Sequence, residues 1–115
     1  MWSKIFNHNS MPLYFFLNDR LLRLEGRLYS GNLSEIQFKI EAALDKTQTL
    51  VVDLDPLEKL DEAGAYMLYI ASEKARENNK QIILFCKENE IVKRVFSFVG
   101  INYSSKLTPL SFNAF

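Results

Sequence analysis

The sequence predicts one α/β domain, a mixed and mostly parallel sheet of four to five strands with helices packed against it, in the order β-β-α-β-α-β-α and a weak final strand. Three observations predict this class. Short apolar runs alternate with stretches whose apolar residues recur at helical spacing. The first two runs are joined by a turn and read as a leading hairpin, and the later ones alternate singly with helices, which gives parallel crossovers. Finally, the 115 residues are 48% apolar, and Leu, Ile, Val and Phe together make up about a third of the chain. Such a composition supports one self-standing core and excludes intrinsic disorder.

Residues 1–10, MWSKIFNHNS, show no sustained period and read as a leader or flexible arm. The domain is expected over 11–110 and a C-terminal tail over 111–115. Tyr14-Phe15-Phe16-Leu17 favours a strand and stops at the turn pair Asn18-Asp19. From Arg20 to Leu28, Leu22 and Leu24 alternate with Arg23 and Glu25, as in a half-buried strand. Gly26 falls inside that run, where glycine often marks a bulge or a close approach of backbone. Asn32 followed by Glu35 is a capping-box pattern that starts a helix at Leu33. Leu33, Ile36, Ile40, Ala43 and Leu44 form its apolar stripe.

Leu50-Val51-Val52-Asp53-Leu54 reads as a buried parallel strand. A second helix should start at Asp61, whose carboxylate can cap the first turn while Glu62 complements the positive end of the helix dipole. Ala65, Leu68, Ala71, Ser72 and Ala75 give it a small-residue face, and Asn78-Asn79 a stop. Gln81 to Cys86 is a further buried strand. A third helix from about Glu90 carries Ile91, Val95, Phe98 and Val99 on one face and ends at a left-handed cap, Gly100, followed by Ile101. The segment LTPLSFNAF could add an edge strand near Leu107 before Pro109 stops it.

Charge narrows the function classes. Fourteen basic residues balance fourteen acidic ones and the pI is about 6.6, so the basic excess of a duplex-DNA or anionic-membrane binder is missing. The aromatics Phe38, Phe85, Phe96 and Phe98 are expected in the core, because no basic groove accompanies them as a single-strand platform requires. Met11 to Leu17 is too short to span a bilayer and lacks a cleavage pattern. The single cysteine, Cys86, excludes an intrachain disulfide, and no CxxC spacing occurs. These features point to a soluble, cytoplasmic domain that binds no nucleic acid and does not insert directly into a membrane.

Enzymatic constellations are nearly absent. No glycine-rich phosphate loop is present, the lone His8 lies in the expected arm, and Cys86 closes an apolar strand, where it reads as core. One region stands apart. Asp53, Asp55, Glu58, Asp61 and Glu62 face a single base, Lys59, between a strand end and a helix start, where open α/β sheets gather ligands. Clustered carboxylates suit Mg²⁺, so a small Mg-dependent phosphotransfer or hydrolytic enzyme using Asp53, Asp55 and Asp61 is one alternative. A solvated acidic loop leading into a capped helix is the other. On balance no catalytic residue, metal or cofactor is expected.

The stretch VVDLDPLEKLDEAGAYMLYIASEKARENNKQIILF resembles the STAS domain, the family of bacterial anti-sigma factor antagonists. In that family a strand ends in Asp, a loop follows, and Asp-Ser-Ser-Gly opens a helix. The upstream LEGRLYSGNLSEI is similar to the family's strand, glycine and first-helix start, and the resemblance runs through Gly100-Ile101. It implies a non-enzymatic partner-switching module acting in regulation of transcription. The second serine of the motif is phosphorylated by a partner kinase that is also an anti-sigma factor, and the unphosphorylated form binds that partner. A helix N-terminus suits phosphate, and the added charge can block docking.

Here the motif reads Asp61-Glu62-Ala63-Gly64, so Ala63 stands at the phosphoserine position without a hydroxyl. Two expectations follow: a domain held permanently in its binding-competent state, or one in which Glu62 imitates the phosphorylated state. The first is preferred, because a dipole contribution of about 0.3–1 kcal/mol already explains Glu62. The partner-binding residues expected are Asp61, Glu62, Ala63, Gly64, Tyr66 and Tyr69. The two tyrosines lie off the Ala65/Leu68/Ala71 face and suit interface anchors. The partner is expected to be an anti-sigma factor or serine kinase. The alternative is the ATPase of a membrane transporter, such as a lipid-transport ABC complex, with this chain as accessory subunit.

Overall fold

A computed structural model describes residues 3–5 and 13–106. The elements are β1 (Ser3–Ile5), β2 (Leu13–Asn18), β3 (Leu21–Leu28), α1 (Leu33–Leu44), β4 (Thr49–Asp53), β5 (Leu57–Leu60), α2 (Glu62–Glu77), β6 (Gln81–Phe85) and α3 (Glu90–Val99). The described strands form one mixed sheet in the order β1-β2-β3-β4-β6, with β5 also paired to β3. The β1/β2 and β2/β3 pairs are antiparallel, whereas β3/β4, β3/β5 and β4/β6 are parallel.

The main path of the sheet has five described strands, within the four to five expected, and β5 beside it makes six. Ser3–Ile5, within the segment expected as an arm, pairs with Leu13–Phe15 and so occupies the backbone groups of an otherwise open strand edge. The second addition is β5, formed inside the expected acidic loop. Strands β4 and β5 share one edge of β3: Leu21–Arg23 pair with Val51–Asp53, and Gly26–Leu28 with Leu57–Leu60. The register shifts between Gly26 and Arg27. Gly26 has a φ of 101°, a conformation that a side chain disfavours, and this is the bulge its position suggested.

Strand alternation sends Leu22, Leu24, Leu28, Leu50, Val52 and Leu84 to one face. There they join Ile36, Ile40 and Ala43 of α1, Ala65, Met67 and Leu68 of α2, and Val92 and Phe96 of α3 in a single buried cluster. Leu21 and Val51, paired across β3 and β4, are buried outside that cluster on the reverse face.

Two helix expectations need correction. Asn32 stands at the N-cap of α1 without a side-chain cap bond. Its carboxamide turns back into the loop, accepting from Tyr29 N–H (3.1 Å) and donating to the Arg27 carbonyl (2.8 Å). Fully buried, Asn32 satisfies backbone groups that the β3–α1 loop would otherwise leave unpaired. In α3 the core ridge is Val92/Phe96, with Val95 and Val99 on its flank, while Ile91 and Phe98 are exposed, Phe98 to 76%. Of the aromatics expected inside, Phe96 is buried and Phe85 half-buried, while Phe38 is exposed like Phe98. The α3 cap holds as expected, with Gly100 at φ 76° and Ile101 N–H donating to the Phe96 carbonyl at 2.9 Å. The possible strand near Leu107, the residues 111–115 and His8 lie outside the described residues. Among those described, no helix is long and apolar enough to cross a membrane.

Candidate partner-binding site

The site is built where β5 turns into α2, at the carboxyl end of the parallel strands. Asp61 is the hinge. Its backbone is extended (φ −97°, ψ 173°), which frees the carboxylate to reach back over the first turn. Asp61 Oδ1 accepts from Gly64 N–H at 2.7 Å, and Oδ2 accepts from Ser30 N–H at 3.0 Å. One carboxylate thus caps α2 and ties it to the β3–α1 loop. Asp61 N–H donates to the Leu28 carbonyl at 3.3 Å, which continues the β3/β5 pairing to the first residue of the site.

Gly64 is buried against that pairing. A Cβ there would sit 3.2 Å from the Leu28 carbonyl oxygen and 3.0 Å from Leu60 Cδ1, so the glycine permits close approach of helix to sheet. Past it, Ala65 and Leu68 point into the core, while Glu62, Ala63, Tyr66, Tyr69 and Ile70 are exposed. Tyr66, Tyr69 and Ile70 expose 47%, 42% and 52% of their surface, so three large side chains face outward along one helix. Ile70 also borders a groove of about 720 Å³ between α1 and α2, lined by Leu33, Ile40, Leu44, Met67 and Ala71.

The acidic residues before the site do not converge. Asp53 accepts from Arg23 Nε at 2.9 Å and from Asp55 N–H at 3.0 Å, and the Arg23 guanidinium lies 5.9 Å from the centre of the Phe16 ring. Asp55 Oδ1 accepts from the backbone N–H groups of Lys87, Glu88 and Asn89 at 2.9, 3.0 and 3.2 Å. Asn89 completes the tie: its Nδ2 donates to the Asp55 and Leu57 carbonyls, and its Oδ1 accepts from Ile91 and Val92 N–H to cap α3. Asp53, Asp55 and Asp61 are each committed to a different backbone segment. Among the described residues no group of three or more His, Cys, Asp or Glu side chains could hold a metal ion. The Mg²⁺ arrangement therefore does not assemble, because these carboxylates order loops.

Cys86 is fully buried, with its Sγ donating to the Asn89 carbonyl at 3.3 Å. Burial, with a smaller contribution from the Asp55 charge, pushes its thiol up to about 11. A thiol raised above its unfolded value binds its proton more tightly in the folded chain. Its contribution to stability is then full below the usual thiol range and is lost as pH rises toward 11. The native domain should resist alkylation by iodoacetamide at pH 8 and react readily in urea. Rapid labelling of the native chain would contradict the burial.

The sequence matches the STAS domain model over residues 12–109. The chain belongs to the STAS domain family. No curated protein sequence matches it. Among solved structures, this STAS domain is similar to the anti-sigma factor antagonist SpoIIAA in its unphosphorylated form, at 14% identity and a TM-score of 0.67, covering 99% of this chain and 95% of that one. It is also similar to the Bacillus cell fate determinant SpoIIAA in its phosphorylated form, at 13% identity and a TM-score of 0.62, covering 99% and 98%.

The structure places Asp61, Glu62, Ala63, Gly64, Tyr66 and Tyr69 together on the start and first turns of α2, with Gly64 inside and Glu62, Ala63 and both tyrosines outside. Ser30 joins them through Asp61, and sequence reading missed it because its neighbour lies 31 positions away in the chain. Ile70 was also missed. It sits one residue beyond Tyr69, and only the packing of α1 shows that it is left exposed.

Proposed function

We propose that this STAS domain is a non-enzymatic protein-interaction module, an anti-sigma factor antagonist in type, that docks a regulatory protein on the start of α2. The observation that carries this reading is the contiguous exposure of Glu62, Ala63, Tyr66, Tyr69 and Ile70 beside the rigidly held Asp61. Aromatic side chains ringed by charge are the usual centres of binding energy. The carboxylates that could have served chemistry instead hold backbone N–H groups, which supports a binding role over a catalytic one.

The partner is an anti-sigma factor or serine kinase, a reading supported by family membership and by the likeness to an anti-sigma factor antagonist. Ala63, exposed at the second residue of α2, offers no hydroxyl for phosphorylation. That position is therefore constitutively in the binding-competent state. Glu62 beside it carries a single charge and complements the helix dipole.

Tyr69→Ala should reduce partner capture roughly tenfold, as loss of a moderate hot spot does, without lowering the melting temperature appreciably. Capture from native lysate read by mass spectrometry checks it. An ATP-binding serine kinase lost in the variant supports the reading. A transporter ATPase lost instead makes the chain a transport subunit, and capture unchanged by the variant removes Tyr69 from the interface.

A further inference from the structure

The groove of about 720 Å³ between α1 and α2 has two walls that run the same way. Each helix crosses over between parallel strands, α1 from β3 to β4 and α2 from β5 to β6. The lining runs from Leu33 to Leu44 on one wall and from Met67 to Asn78 on the other, about three turns or roughly 17 Å on each side. In the turn after α2, Lys80 Nζ donates to the Leu44 carbonyl at the end of α1, which ties the walls together there. The floor between them is apolar. The rims are charged, and with opposite sign: Glu41 and Asp45 are exposed along the α1 side, and Lys74 is exposed along the α2 side.

We propose that this groove receives an amphipathic α-helix of a protein partner, with basic residues on one flank of its apolar stripe and acidic residues on the other. The inference rests on the proposed docking surface, which Ile70 joins to the groove by belonging to both. Charge complementarity selects the occupant. A helix laid between two others buries a stripe of apolar residues spaced i, i+3 or i+4, and i+7, and three turns of groove are long enough to hold it. Its basic flank then faces Glu41 and Asp45, and its acidic flank faces Lys74. A single acyl chain would fill the floor and leave both charged rims without a role.

The probe is a displayed library of helical peptides of about 15 residues, with Leu fixed along one face and Lys or Glu drawn at random on both flanks. Peptides enriched on wild type are titrated against four full-length chains, with thermal melting as a folding control. These are wild type, Lys74→Glu, Glu41→Lys combined with Asp45→Lys, and the chain carrying all three substitutions. We expect the enriched peptides to carry opposite signs on their two flanks. Affinity should fall roughly fivefold in Lys74→Glu and in the double variant. It should return in the triple variant, whose rims again differ in sign and accept the same helix in the reverse direction. The peptides should also displace the partner that wild type captures. Several results overturn the groove proposal and leave the docking surface standing: flanks of random sign, equal binding to all four chains, uptake of oleate with no peptide enriched, or peptides that do not displace a partner lost in Asp61→Lys. If Asp61→Lys captures the partner like wild type, the docking surface fails and takes the proposal with it.

Discussion

Asp61→Lys is expected to weaken partner binding by about 30-fold or more, equivalent to roughly 2 kcal/mol, the scale of an interface hot spot. Two effects act together. The substitution removes a carboxylate that accepts from both Gly64 and Ser30 N–H, so the first turn of α2 loses its cap and its tie to the β3–α1 loop. Loss of an N-cap costs about 0.5–2 kcal/mol, which the buried cluster behind it can absorb. The lysine also reverses the charge at the centre of the proposed docking surface and places a cation at the positive end of the helix dipole. Calorimetric titration against the partner, paired with a thermal melt, separates the two effects. A folded variant that binds like wild type would contradict the site assignment.

The second large effect is expected in stability. Gly64→Val should lower the melting temperature by roughly 5–15 °C, from an overpacking cost of about 1–3 kcal/mol. Even a single added carbon would lie 3.2 Å from the Leu28 carbonyl oxygen, a backbone atom of β3 that cannot step aside. Its other close neighbour, Leu60 Cδ1 at 3.0 Å, is the end of a side chain and can rotate. Gly64→Ala should therefore fall within about 1 kcal/mol of wild type, because its better helix propensity offsets the tight contact. Valine, branched at Cβ, has no such escape. Equal melting temperatures for valine and glycine at this position would show that α2 does not need its close approach to β3.

The sequence discloses much of this architecture, and where it fails the causes are local. The hairpin, the buried strand Thr49–Asp53 and the start of α2 are legible because each has a strong pattern: alternation, a β-branched run, and a capping aspartate before a small-residue face. Strand β5 is not legible. Its four residues, LEKL, bury only the two ends and expose the charged pair between, so it resembles loop until β3 supplies its partner. The face of α3 is ambiguous for a different reason. Apolar residues at 91, 92, 95, 96, 98 and 99 spread over an arc of about 160°, wider than the core contact, and only tertiary packing selects Val92 and Phe96 over Ile91 and Phe98. Asn32 has the right type and spacing for a cap, yet the buried loop behind it competes for the same carboxamide.

The acidic run shows how composition can mislead about chemistry. Five acids within ten positions suggest a metal site, but Asp55 stitches the loop before α3 to the strand end through three N–H groups, and Asp53 pairs with Arg23. Carboxylates that accept several backbone bonds are satisfied without a cation. Ser30 is the opposite case: unremarkable in the sequence, it becomes part of the site only because β3 delivers its loop to the α2 cap.

The central claim, that a regulatory protein docks on the start of α2, is tested most directly by site-specific photo-cross-linking. A photoreactive residue is placed at Ala63, exposed at the proposed surface, and in a second chain at Gln48, exposed at the opposite end of the parallel strands. Both are irradiated with the same partner under the same conditions. A covalent adduct from position 63 and none from position 48 is the result predicted here. An adduct from position 48 with none from position 63 would place the partner at the other end of the sheet and contradict the account.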